Sequence, residues 1–131
     1  MILLIGFDKG EVKALRDTLN EYRIYEIPEY CRDWVLQEIV EKAEKLEGSG
    51  NWHVRKFFLM HGLKDTQVRE ALEKVKALKM GRIIFATTTP TSLTWTLEDL
   101  MRELIKEDEH FRELEKRKAS RVYLDLNIGK D

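Results

Sequence analysis

The chain has 131 residues, 43% of them hydrophobic and 36% charged, with seven glycines and two prolines. That composition fits one globular domain able to bury a core and excludes a disordered or fibrous chain. A net charge of −1 supplies no field for nucleic acid or an anionic membrane, and the lone Cys31 leaves no internal disulfide.

The apolar start, Met1 to Phe7, reads as a buried strand; without a basic flank it is too short for a signal peptide or membrane span. Val12, Leu15, Leu19 and Tyr22 then recur at helical spacing, with Asp8 and Glu11 in the pattern of a capping box. Arg23 to Ile27 is expected to be the second strand, stopped by Pro28. A helix is expected from Asp33 to Glu47, and Gly48-Ser49-Gly50-Asn51 reads as a flexible linker.

A third strand is expected from Val54 to Met60 and a third helix from Asp65 to Lys79, stopped by Gly81. Arg82 to Thr87 reads as the fourth strand and Leu97 to Lys118 as the fourth helix. Val122, Leu124, Leu126 and Ile128 alternate with polar residues, which predicts a C-terminal edge strand over 120–128.

Alternating strands and helices with continuous apolar strands predict an α/β three-layer sandwich. Its sheet is expected to be mostly parallel, with four to five strands and four helices. A ferredoxin-like antiparallel sheet is the alternative, but four helices exceed what that fold uses. Ile5-Gly6-Phe7 with Val12 echoes His61-Gly62-Leu63 with Val68 at the same offset. The echo divides one domain, 1–131, into two βαβα halves, 1–47 and 54–119.

The segment between the fourth strand and helix, Ala86 to Trp95, holds five threonines, a serine and a proline. In a parallel sheet it would lie at the carboxyl edge, where ligands bind, so Thr88, Thr91, Ser92 and His61 are candidate ligand-binding residues. Thr96 is placed as a helix N-cap, with Trp95 and Leu100 at the spacing of a hydrophobic staple. Glu98 and Asp99 in the first turn would repel an anion, and no phosphate-loop glycine or lysine is present. A capped strand-to-helix junction is the plainer reading.

This segment, Phe85 to Leu97, with its Thr89-Pro90-Thr91-Ser92-Leu93-Thr94-Trp95 core before a Leu/Glu-rich helix, resembles the family called domain of unknown function 3783. Bacterial and archaeal members of that family carry a Thr-Pro-Thr-x-x-x-Trp segment after a strand. Phe58 to Leu63 is similar to the family's apolar strand ending in glycine, and the resemblance covers about Lys56 to Phe111. It implies no activity, cofactor or partner, and no site residue is carried over.

Other chemistry finds little support. His53, His61 and His110 are dispersed, so no metal site is expected; Cys31 has no histidine near it and reads as a small buried residue. The third strand lacks a phosphoacceptor aspartate, which excludes a receiver domain. The basic residues Lys116, Arg117, Lys118 and Arg121 read as a complement to the dipole at a helix end. Trp34 and Trp52 read either as exposed anchors for a partner or as half-buried residues.

The expectation is therefore a cytoplasmic, non-enzymatic module with no catalytic residues and no cofactor. It associates with a second copy or another protein, and binds neither nucleic acid nor membrane. The Glu/Lys-rich, amide-poor composition resembles that of proteins from hot environments. A homodimer is expected through Phe111 and Leu114, which should overhang the sheet, and through Val122 and Leu124 on the edge strand. The alternative is a small-ligand binder or hydrolase at the hydroxyl-rich loop.

Overall fold

A computed structural model describes the backbone of residues 1–128 and the side chains of residues 1–117. Four strands and four helices alternate: β1 (Ile2–Ile5), α1 (Lys9–Thr18), β2 (Ile24–Glu26), α2 (Leu36–Lys42), β3 (Lys56–Met60), α3 (Asp65–Ala77), β4 (Ile83–Thr87) and α4 (Leu97–Ile128). Short 3₁₀ turns occupy Glu29–Cys31, Ala43–Lys45 and Ser92–Thr94.

The strands form one open sheet in the order β2-β1-β3-β4. β1 and β2 are parallel, as are β3 and β4, but β1 meets β3 antiparallel with Ile2 opposite Met60 and Ile5 opposite Phe57. The sheet is thus mixed, which corrects the expected mostly parallel one. A continuous apolar strand reports burial on both faces and carries no record of its neighbour's direction.

Side chains alternate along each strand and feed two separate cores. Ile2, Leu4, Phe58 and Met60 pack with Val12 and Leu15 of α1 and Ala71 and Val75 of α3. Leu3, Ile5, Phe57 and Leu59 pack with Leu36 and Ile39 of α2 and Leu97, Leu100 and Met101 of α4. Each pair of parallel strands with its crossover helix is a βαβ unit. The glycines that follow β1 and β3 both take left-handed backbone, Gly6 at φ 88° and Gly62 at φ 73°.

The capping box at α1 forms as its sequence requires: the Glu11 amide donates to Asp8 Oδ1 at 2.8 Å, and the Asp8 amide to Glu11 Oε1 at 3.0 Å. The second oxygen of Glu11 pairs with Lys56, whose Nζ also donates to the Met80 carbonyl at 2.6 Å. One local cap therefore also ties α1 to the start of β3 and to the approach to β4.

Four local expectations change. Gly48 to Asn51 is pinned rather than loose. The Gly6 amide donates to the Gly50 carbonyl at 2.7 Å, the Gly50 amide donates to the Glu26 carboxylate at 3.0 Å, and Trp52 Nε1 donates to the Ile27 carbonyl at 2.7 Å. β3 begins at Lys56, because His53 Nδ1 accepts from the Arg55 amide at 2.9 Å in a turn that leaves Val54 96% exposed.

The predicted edge strand over 120–128 is helical through Ile128, a continuation of α4. No glycine or proline interrupts Leu97 to Ile128, and extending an existing helix satisfies each backbone group within the chain, whereas a new strand needs a neighbour. Val122 and Leu124 are thus helical, and their side chains lie outside the described residues. Lys116 and Arg117 stand inside the helix rather than at its end, with Arg117 paired to Glu113 at 3.1 Å.

α4 starts at the threonine segment and runs back along β4. Arg82, just before β4, places its Nη2 2.8 Å from Asp108 Oδ1, and Arg55 joins the same carboxylate. The hydrogen bond from Arg82 holds the Asp108 carboxyl below the ordinary aspartate range. Beyond this clamp Phe111 and Leu114 are 58% and 40% exposed, so the helix overhangs the sheet.

Candidate functional site

Three of the six hydroxyls in the threonine segment, those of Thr89, Ser92 and Thr94, bond within the segment itself. The Thr89 amide donates to Ser92 Oγ at 2.8 Å, and the Ser92 amide returns a bond to Thr89 Oγ1 at 3.0 Å. Thr94 Oγ1 donates to the Thr91 carbonyl at 2.7 Å. These reciprocal bonds fold Pro90 and its neighbours into a tight turn ahead of Ser92–Thr94, as serine and threonine do wherever backbone amides lack helical partners.

The start of α4 is closed from two directions. Thr96 Oγ1 accepts from the Asp99 amide at 3.2 Å, the N-cap predicted from sequence. The Leu97 amide donates to the Trp34 carbonyl and the Glu98 amide to the Arg32 carbonyl, each at 2.9 Å. Arg32 also pairs with Glu98 at 2.9 Å. The amides that would otherwise receive an anion at a helix start are therefore already bonded. Thr96→Ala is expected to cost about 1 kcal/mol in urea unfolding. An unchanged midpoint would show that the two carbonyls cap the helix unaided.

His61 stands just beyond β3, its Nδ1 2.8 Å from Thr88 Oγ1. Its backbone is held by Met1: the His61 amide donates to the Met1 carbonyl at 2.8 Å, and the terminal ammonium donates to the His61 carbonyl at 3.1 Å. Burial, and then the charge of that ammonium, lower the imidazole pKa below its ordinary value. A nucleophile needs a base that a third group orients, and among the described residues no carboxylate hydrogen-bonds this ring.

The antiparallel step from β1 to β3 also decides which residues share a sheet edge. Asp8 lies at the opposite end of the sheet from His61 and the threonines, because β1 ends where β3 begins. The edge at His61 joins the carboxyl ends of β3 and β4 to the amino ends of β1 and β2, so no common carboxyl edge exists.

Thr88, Thr91 and Ser92 line the upper part of a groove of about 500 Å³ that follows β4 between α3 and α4. Its walls are Val68 and Leu72 on one side and Leu100 and Leu104 on the other, with the 37%-exposed Trp95 at one end. In the sequence these wall residues only continue the apolar spacing of their helices. The signal for a groove was their i, i+4 spacing on two helices that flank a last strand.

The remaining candidates are buried or half-buried. Cys31 is fully buried, and burial, aided by Asp33 and Glu38, pushes its thiol up to about 11. Trp52 is half-buried and hydrogen-bonded as described, and Trp34 packs against the core beneath α2.

Fold and site together define an α/β domain with an open mixed sheet whose last strand ends in a self-bonded threonine turn. Residues 56–111 match the family model described as Domain of unknown function (DUF3783). The match spans β3, α3, β4 and the sheet-facing half of α4, with the threonine turn inside it. No curated protein and no solved structure matches the chain.

Proposed function

We propose that the chain is a cytoplasmic, non-enzymatic module that self-associates through the far half of α4, its helices layered on both faces of the sheet. The observation that carries this reading is the overhang. A helix of 32 residues runs about 48 Å at 1.5 Å per residue, whereas the five residues of β4 cover about 17 Å. Phe111 and Leu114 lie on one face of the part beyond Asp108, exposed. A helix segment whose apolar Phe111 and Leu114 stand exposed is marginal in water, and a second copy against that face would stabilise it. The buried Cys31, and the absence among the described residues of any helix long and apolar enough to cross a membrane, support the assignment to the cytoplasm.

A second reading, a small-ligand or hydrolytic site at Thr88, Thr91, Ser92 and His61, is favoured by the single hydrogen bond between His61 and Thr88. Light scattering at tens of micromolar protein tests the first reading. A mass twice the chain's 15.5 kDa is expected, reduced to one chain by Phe111→Glu with Leu114→Glu and with circular dichroism unchanged. A single-chain mass for the parent would overturn it, and a dimer that survives both changes would move the contact elsewhere.

A further inference from the structure

We propose that the outer edge of β4 is a docking groove for an extended polypeptide segment in which lysine or arginine alternates with apolar residues, added to the sheet as a fifth strand. The surface lies along β4 and the sheet-facing part of α4, one helical turn before Phe111.

The backbone supplies the first reason. The Thr88 amide donates to the Met60 carbonyl at 2.9 Å, and successive residues of a strand turn their amide and carbonyl to opposite sides. Ile84 and Ala86 therefore face β3, while Ile83, Phe85 and Thr87 face outward. Among the described residues no hydrogen bond reaches those outward groups. The other edge of the sheet is treated differently. β2 is three residues long, and its outward Ile24 carbonyl accepts from Arg16 Nη1 at 2.8 Å. Short edges and charged side chains laid across them block strand addition. β4 has neither.

The walls supply the second. Val68 and Leu72 on α3, and Glu103 and Glu107 on α4, are each four residues apart along the groove. Four helical residues advance about 6 Å, close to the roughly 6.6 Å between alternate side chains of a strand. A strand laid against β4 can thus set two apolar side chains on Val68 and Leu72. The side chains pointing the other way then reach Glu103 and Glu107.

Charge identifies the occupant. Glu98, Asp99, Asp108, Glu109 and Glu113 of α4 each have an arginine within salt-bridge distance. Glu103 and Glu107, the carboxylates on the groove, are in no ion pair among the described residues. A basic segment would complement them. A second copy added edge to edge about a two-fold axis through the sheet would instead set these carboxylates against their own images, which disfavours self-pairing.

The test uses a blocked, fluorescently labelled peptide of alternating valine and lysine, followed by anisotropy with the full chain. Saturable binding that weakens with salt is expected. N-methylation of alternate peptide residues should abolish it, because strand addition depends on main-chain hydrogen bonds. Glu103→Lys with Glu107→Lys should weaken it at least about tenfold and create binding to the valine–glutamate counterpart. Thr87→Pro removes an outward amide without breaking a bond to β3 and should also weaken it. No saturation by about 1 mM would overturn the proposal. So would equal binding of the N-methylated peptide, or indifference to charge reversal. Peptide that splits a dimer of the parent chain would place a second copy in the groove and overturn the basic partner. Binding by the Phe111→Glu, Leu114→Glu variant separates this result from the fate of the dimer.

Discussion

Gly6→Ala is expected to remove most of the stability of the fold, at a cost of about 4 kcal/mol or more. A methyl group at Gly6 would stand 2.0 Å from the Arg55 carbonyl oxygen and 2.9 Å from its carbon. Both are backbone atoms, so no side-chain rotation relieves the overlap, and the backbone at φ 88° is itself unfavourable for alanine. Relief requires the turn after β1 to move away from the approach to β3 at Arg55, which strains the bond from the Gly6 amide to the Gly50 carbonyl. Gly62→Ala is the matched control. It has a similar φ of 73° but nothing within 4 Å of the added carbon, so only the conformational cost of about 1 kcal/mol applies. Urea midpoints of the two variants measure the difference. Equal losses would mean that the close approach of Gly6 to Arg55 is wrong.

The second large effect is expected at Phe58. Its ring is fully buried in the central strand β3, opposite Leu4 of β1 and 5.4 Å between centroids from Phe85 of β4. Phe58→Ala empties a site shared by α1, α3 and three strands, and should cost about 3–5 kcal/mol. Domains of this size have about 5–15 kcal/mol in total, so the variant should melt far below the parent. Phe58→Leu keeps most of the volume and should cost less than about 1.5 kcal/mol. If the two substitutions proved equally mild, the core on this face would be able to collapse around the gap.

The local features of the chain were legible because local spacing causes them. The capping box of Asp8 and Glu11 spans three residues, as does the Thr96 cap on Asp99, and both form wherever the helix does. The four strands were readable from their apolar runs, and the helices from i, i+3 and i+4 spacing. The threonine turn was readable as a junction for the same reason: its hydroxyls bond partners three residues away.

Other features rest on contacts between residues far apart in sequence, which no periodicity records. The carbonyls of Arg32 and Trp34 that close the start of α4 lie more than sixty residues before it. The direction of β3 against β1 was hidden, because an apolar strand buried on both faces reads the same whichever way its neighbour runs. That one antiparallel step puts Asp8 and His61 at opposite ends of the sheet. The alternation of Val122 to Ile128 matched a strand, but a helix already running through 121 propagates at less cost than a new edge can pair. The groove along β4 belongs to the same class. Leu72, Leu104 and Glu107 each had an ordinary place on a helix, and only the sheet order, which leaves β4 at the edge, sets them around one strand. Composition and spacing determined the four strands, the four helices and the side-chain caps. Strand direction and strand order, settled by which surfaces could be buried together, decided what those elements enclose.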